Sequence, residues 1–248
     1  MELSLEGKSA VVTGASGGLG LHFAEVLARA GADVTIAARR KEKLAEAAAR
    51  LKAEVLKVET ATLDVTDETS ITALFSSRCF DVTVNNAGIT GSGMAMEMEP
   101  RVWDQVMDTN LRGSFLVAQA AARGLKAAGK GGAIVNIGSI LGERVGGAVL
   151  AYTSSKAAVI QMSKAMALEW ARFGIRVNAL CPGYFETDLN GDFFASPAGQ
   201  ALVNRIPMRR LGRPQELDGA LLLLASDAGS FITGSALTVD GGHLVSTL

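Results

Sequence analysis

The sequence predicts an α/β fold: one domain built on a doubly wound parallel sheet with helices on both faces. Three observations carry this expectation. Short β-rich runs alternate with longer helical stretches along the chain, and such alternation builds parallel sheets covered by helices. Strands such as "AIVNI" are apolar without a polar face, as strands buried on both sides are. No Pro/Gly linker, repeat or low-complexity segment divides the 248 residues, so one domain is the economical organisation.

The elements follow in order. "SAVVTG" reads as the first strand, and "LGLHFAEVLARAG" as a helix closed by Gly31. "ADVTIAA" is the second strand. The following "RKEKLAEAAARLKAE" is rich in Ala, Leu, Glu and Lys, all strong helix formers. "VLKVETATLD" is strand-like, and Thr66-Asp67-Glu68 has the form of an N-cap with acids in the first turn. "FDVTVNNAG" gives a fourth strand, "RVWDQVMDTNLRGSFLVAQAAARGL" one long helix, and "GAIVNIGS" a fifth strand. A helix over about 152–173, the strand "IRVNALCPG", the helix "PQELDGALLLLAS" and the strand "ALTVDGG" complete the chain. The irregular stretch 187–212 mixes Gly191, Pro197, Gly199 and Pro207 with Phe193, Phe194, Leu202 and Ile206. An insertion there, near the carboxyl end of the sheet, is expected to be a substrate lid.

Composition excludes several classes of function. With 24 basic and 25 acidic residues the chain carries a net charge of −1, which argues against nucleic-acid and membrane-surface partners. Glu2 and Glu6 stand where a secretory signal would carry basic residues. The aliphatic run "ALLLLA" from Ala220 is far too short to span a bilayer. Cys79 and Cys181 form no CxxC, and His22 and His243 are the only histidines, so no metal site is expected. The two thiols read as core residues of a reduced, cytoplasmic protein.

"TGASGGLG", Thr13 to Gly20, follows the first strand and opens the first helix, the context a dinucleotide fingerprint requires. Glycines there permit a tight turn and let backbone N–H groups approach a pyrophosphate at the positive end of the helix. The fold class is therefore Rossmann-type. An acid ending the second strand would bind the adenosine ribose hydroxyls of NAD. Here Ala38 holds that place and Arg39 follows it. A guanidinium binds a 2′-phosphate through charge-assisted hydrogen bonds, so NADP(H) is expected over NAD(H).

"YTSSK", Tyr152 to Lys156, sets a phenol and an ammonium one helical turn apart on one face. A free tyrosine titrates near pH 10, too high for efficient proton transfer at neutrality. Bringing it near neutrality needs roughly 4 kcal/mol of preferential interaction with the phenolate, which a close ammonium can supply. Alone, such a pair reads more readily as a solvated surface contact. With "TGASGGLG", "NNAG" from Asn85 to Gly88, Asn110 in "DTNLRGSF", Ser139 thirteen residues before Tyr152, "CPG" at Cys181 to Gly183 and "VDGG" at Val239 to Gly242, the chain resembles the short-chain dehydrogenase/reductase family. The resemblance runs from about Gly7 to Gly242.

What the resemblance implies is specific. Tyr152 would be the general acid in carbonyl reduction and the general base in alcohol oxidation. Lys156 would hold the nicotinamide ribose hydroxyls and depress the Tyr152 pKa. Ser139 would hydrogen-bond the substrate oxygen, and Asn110 would anchor a water relaying protons from Lys156. Gly14, Ser16, Gly18 and Leu19 would line the pyrophosphate and adenosine ribose, and Asp64 and Val65 the adenine. Asn86, Ala87 and Gly88 would pass beneath the adenosine. Pro182, Gly183, Phe185 and Thr187 would flank the nicotinamide. Gly17 departs from NADP-using members that carry a basic residue there, which leaves Arg39 as the main phosphate ligand.

The substrate expected is a small ketone or secondary alcohol in a mainly apolar pocket. Walls would come from "ILGERVGGAVLA", "GYFETDL", Phe193 and Phe194. The resemblance reaches 3-oxoacyl-thioester reductases as well, for which Arg205, Arg209 and Arg210 would have to form a basic patch at the mouth. A non-catalytic dinucleotide sensor is a third reading, against which both Tyr152 and Lys156 stand. Few charges interrupt residues 151–173; a helix apolar on more than one face is covered on both, and a homotetramer, common in the family, would do this.

Overall fold

The computed structural model describes residues 3–186 and 191–246. Seven parallel strands form one sheet: β1 (Ser9–Thr13), β2 (Asp33–Ala38), β3 (Val58–Thr62), β4 (Val82–Asn85), β5 (Gly132–Ile137), β6 (Ile175–Pro182) and β7 (Ala236–Val239). Their order is β3-β2-β1-β4-β5-β6-β7, so the chain winds outward from β1 in one direction and then, from β4, in the other. Register pairs Val12 with Ile36 and Val84, and Ile137 with Leu180. Val11, Val12, Ile134 and Val135 are fully buried, as strands covered on both faces must be.

Helices α1 (Gly18–Arg29), α2 (Lys41–Ala53) and α9 (Asp218–Ala225) cover one face. Their core is built from Phe23, Leu27, Ile36, Leu44, Leu51 and Leu221. The opposite face carries α3 (Glu68–Ser77), α5 (Gly113–Ala127) and α6 (Leu150–Trp170), with Ile71, Val117, Leu125, Ile134 and Met166 in its cores. As the Thr66-Asp67-Glu68 pattern indicates, Asp67 caps α3, accepting from Thr69 N at 2.9 Å.

The helix expected as one piece across "RVWDQVMDTNLRGSFLVAQAAARGL" is broken. It runs as α4 (Pro100–Met107), a π-helical turn over Asp108–Arg112, and then α5. The widened turn puts the amide of Asn110, fully buried, on the inner side; π turns of this kind recur at functional sites. Within the irregular 187–212 stretch, the described part holds two short helices, α7 (Gly191–Ala195) and α8 (Pro197–Val203). Ser196 caps α8 through Gly199 N. Among the described residues, no helix is long and apolar enough to cross a membrane.

Candidate active site

In an all-parallel sheet every strand ends on the same side, and ligands bind at that carboxyl edge where the winding reverses. Here the reversal lies between β1 and β4, and the turns after them press together. A Cβ on Gly14 (φ 68) would lie 2.8 Å from Ala87 Cα, so only glycine permits this approach. Thr13 Oγ1 accepts from Asn86 N and Ala87 N at 3.1 and 3.0 Å, and Asn86 Nδ2 donates to Thr13 O at 3.1 Å. The Asn86 amide therefore holds the two turns together.

The start of α1 fits a pyrophosphate. No side chain caps it, no acidic residue stands in its first turn, and a Cβ on Gly18 (φ 55) would meet nothing within 4 Å. An open helix N-terminus with free backbone N–H groups is an anion site. Ser16 and Leu19 flank it, half-buried. Beyond β2 the two arginines divide their positions. The charge of Arg39 acts on Asp64, whereas Arg40 Nη2 donates to Ser16 Oγ at 3.3 Å. Sequence reasoning named Arg39 as the main phosphate ligand and passed over Arg40; nothing local in "ARRK" says which arginine turns inward. Burial raises the Asp64 carboxyl, but hydrogen bonds from Thr66 N and Oγ1, together with Arg39, outweigh it and hold it below its ordinary value. Val65 is buried against Gly113.

At the end of β5, the Ser139 hydroxyl accepts from Leu141 N at 3.1 Å and hydrogen-bonds the Tyr152 phenol. Lys156 lies one turn beyond Tyr152 on α6, with Nζ 5.6 Å from the ring centroid. Its ammonium is buried and donates to Ile137 O at 2.7 Å. Burial moves both groups. It raises the Tyr152 phenol above its ordinary value, with Ser139 pulling it partly back, and lowers Lys156 to about 8. The depression of the phenol by Lys156 expected from sequence is thus not what these residues produce by themselves. Desolvation wins over a lysine that spends its proton on a carbonyl.

Asn110 is closely bound. Its Oδ1 accepts from Ile89 N at 2.8 Å, and its Nδ2 donates to Ile89 O at 2.9 Å and to Ser155 Oγ at 3.1 Å. Both amide protons are taken. Ser155 Oγ in turn donates to Tyr152 O at 2.7 Å, so Asn110 connects the segment after "NNAG" to the turn of α6 that carries the phenol. Gly88 lies against it, where a Cβ would come within 3.3 Å of Oδ1.

Past β6, Gly183 N donates to Val239 O at 2.9 Å, which ties the turn after Pro182 to β7. Phe185 is buried in the main core with its ring against Gly212, whereas Tyr184 is half-buried. The Tyr184 ring stands 5.8 Å from Phe194 and 5.4 Å from His243. Phe194 is buried and Phe193 half exposed, so one of the two expected lid phenylalanines faces inward. Thr187 lies outside the described residues. Arg144 crosses to the C-terminal turn, donating to His243 O and, at 2.8 Å, to Ser246 Oγ. Of the postulated basic patch, Arg210 pairs with Glu216 at 2.6 Å and Arg209 folds back onto Asn204 O, whereas the charges of Arg205 and Arg144 both act on His243. His22, without a partner readable in the sequence, bonds Asp218 at 2.7 Å and joins α1 to α9. Cys79 and Cys181 are free thiols. Among the described residues no cluster of His, Cys, Asp and Glu is placed to hold a metal.

Residues 14–243 match the family model described as enoyl-(acyl carrier protein) reductase. Gluconate 5-dehydrogenase of Gluconobacter oxydans (strain 621H) is 40% identical over 98% of this chain and 97% of its own length. The 3-oxoacyl-[acyl-carrier-protein] reductase of Chlamydia muridarum is 38% identical over 98% of this chain and 99% of its own. The crystal structure of a gluconate 5-dehydrogenase from Burkholderia cenocepacia J2315 in complex with NADP and tartrate superposes with a TM-score of 0.95 at 38% identity, covering 99% of this chain and 98% of that one.

Proposed function

The chain belongs to the short-chain dehydrogenase/reductase family, and from that premise we propose that it interconverts a secondary alcohol and a ketone on a polyol or sugar acid. It is an NADP(H)-dependent oxidoreductase acting on a CH–OH group. The observation that carries the reading is the Ser139–Tyr152–Lys156 set at the end of β5, beside the glycine turn.

When bound, the nicotinamide supplies or accepts the hydride. The rest falls to the chain. The α1 N-terminus with Gly14, Ser16, Gly18 and Leu19 holds the pyrophosphate and adjoining ribose, while Arg39 and Arg40 hold the 2′-phosphate. Asp64 and Val65 take the adenine, and Ala87 and Gly88 pass beneath the adenosine. Pro182, Gly183, Phe185 and Thr187 flank the nicotinamide.

Ser139 hydrogen-bonds the substrate oxygen and stabilises the negative charge that develops on it. Tyr152, kept protonated by burial, gives its proton to that oxygen in reduction and takes one back in oxidation. Lys156 binds ribose hydroxyls; since it titrates near 8, it can pass a proton at neutral to mildly alkaline pH. Asn110, with its amide committed to Ile89 and Ser155, positions Tyr152, and any relay water would meet its remaining lone pairs.

In this reading residues 1–248 form one dinucleotide-binding and catalytic domain in the cytoplasm, and 187–212 closes over the substrate, with Phe194 resting on Tyr184. Phe115, Met162, Met166 and Trp170 line an open groove between α5 and α6, and Leu168 beside it is 84% exposed; an apolar face left open in the single chain is what a homotetramer would cover. A second reading, reduction of a 3-oxoacyl thioester, rests on the Chlamydia relative. The engagement of Arg209 with Asn204 O and of Arg210 with Glu216 weighs against it. The presence of both Tyr152 and Lys156 weighs against a non-catalytic sensor. A panel decides: NADP+ reduction with gluconate and galactitol, and NADPH oxidation with a 3-oxoacyl thioester. The reading expects turnover with the polyol or sugar acid to exceed that with the thioester. The reverse ranking would favour the second reading.

A further inference from the structure

Arg144 is not accounted for by the site as described. It stands on the loop after Ser139, its N–H donating to Ile140 O at 2.8 Å. Its guanidinium reaches His243 O and Ser246 Oγ in the turn beyond β7. Strands β5, β6 and β7 are consecutive neighbours, each about 4.8 Å from the next. To join the loop after β5 to the turn after β7, the side chain must cross the carboxyl end of β6. Tyr184 stands there, two residues past Pro182, with its ring 5.4 Å from His243. Arg144 thus reaches across the carboxyl edge of the sheet beside Tyr184, on the side where Ser139 and Tyr152 stand. Its charge acts on the Tyr184 hydroxyl, and that hydroxyl on Tyr152.

This guanidinium is half-buried, yet both of its contacts are neutral and go through Nη1. Among the described residues no carboxylate comes within ion-pair distance of it; Arg176 likewise meets only neutral groups, but at the amino end and through both Nη1 and Nη2. The Nε and Nη2 of Arg144 find no partner among the described residues, and these are two donors of the fork that can grip a carboxylate. A guanidinium fork without a carboxylate partner is the donor set that a substrate carboxylate would engage in two parallel hydrogen bonds.

We propose that Arg144 anchors a carboxylate of the substrate, so that the molecule spans from Arg144 to the Ser139–Tyr152 pair. This rests on the oxidoreductase reading above and narrows its substrate class to hydroxy or keto acids. A purely structural role, as a clamp on the C-terminal turn, makes a different prediction, because a clamp is indifferent to substrate charge.

The test is calorimetric binding to the NADP+-loaded protein of D-gluconate and D-glucitol, which differ only in a carboxylate replacing a terminal CH2OH. Wild type should bind gluconate more tightly. Arg144→Gln should weaken gluconate about 10–100-fold, the scale of charge-assisted hydrogen bonds, and glucitol less than about threefold, with Arg144→Lys in between. Equal weakening of both sugars, no weakening of gluconate, or no preference in wild type would overturn the proposal. So would failure of wild type to bind either sugar; the oxidoreductase reading would still stand if NADPH-dependent reduction of an uncharged ketone were found and were abolished by Tyr152→Phe.

Discussion

The two ends of the sheet treat their polar groups differently. At the amino end several polar groups are closely partnered. Asp81 accepts from Ser9 N and Ser9 Oγ at 2.9 and 2.8 Å, Lys57 pairs with Asp33 at 3.5 Å, and Arg176 donates to Ser226 O and Ile232 O. At the carboxyl end Lys156 is a buried ammonium held by one carbonyl, Tyr152 is a desolvated phenol, and Arg144 has no ionic partner among the described residues. Among the described residues the His243 Nδ1 and Thr153 Oγ1 atoms are buried without a partner, as are Thr35 Oγ1 and Thr83 Oγ1 within the sheet. The amino end is built for stability; the carboxyl end accepts a stability cost in exchange for chemistry.

The comparison can be broken at several places. The largest effect expected is on turnover. Tyr152→Phe should reduce it by about 10²–10⁴, the range of general acid–base catalysis, with NADPH affinity by fluorescence titration nearly unchanged; an active phenylalanine variant would take the acid out of the scheme. Next comes cofactor choice. Removing both Arg39 and Arg40 should weaken NADPH about 100-fold and NADH little, each single change giving about tenfold, as charge-assisted contacts to a phosphate would. Equal losses for both cofactors would mean that the arginines do not read the phosphate.

At the amino end the currency should be stability instead. Asp81→Ala orphans Ser9 N and should cost about 1–3 kcal/mol in denaturant unfolding, with activity per folded molecule preserved. Burial raises this carboxyl, but hydrogen bonds from Ser9 and the nearby lysines hold it below its ordinary value. Its contribution is therefore present above about pH 4 and fades as acid protonates the folded state, so the deficit of the variant should shrink there. The smallest effect concerns backbone strain. Val55 (φ 62), in the turn leading to β3, and Ala148 (φ 60), in the loop before α6, both sit in the left-handed region. Glycine at either should gain at most about 1 kcal/mol, but only Ala148→Gly should alter the KM of the substrate, because Ala148 O accepts from Gly93 N at 2.9 Å across the pocket wall.

The same division governs what was legible beforehand. The seven strands, their parallel sheet and the helix following "TGASGGLG" are written in local periodicity, since a strand buried on both faces must be apolar throughout. The placement of Ser139 past a strand end and of Tyr152 and Lys156 one helical turn apart follows from spacing, whereas the roles proposed for them rest on the resemblance to the family. The Arg144 crossing to His243 and the Asn110 amide on Ile89 and Ser155 join residues 21 to 99 positions apart, and no sequence period records such contacts. The π turn at Asn110 was hidden because "DTNLRGSF" is an ordinary helical sequence. The raised phenol was missed because a lysine four residues away reveals its charge but not its desolvation.

Lys156→Met tests the central trade most directly, since one side chain carries both sides of it. Burial lowers this ammonium from 10.5 to about 8, which amounts to about 3 kcal/mol held against the fold. Below about 8 the penalty is fully present, and it is relieved as pH rises toward 10.5. Allowing about 1 kcal/mol for the lost bond to Ile137 O, the variant should be more stable than wild type by about 2 kcal/mol near neutral pH, with that gain vanishing at alkaline pH while turnover collapses. A variant that is no more stable at neutrality, or that still turns over substrate, would contradict the account.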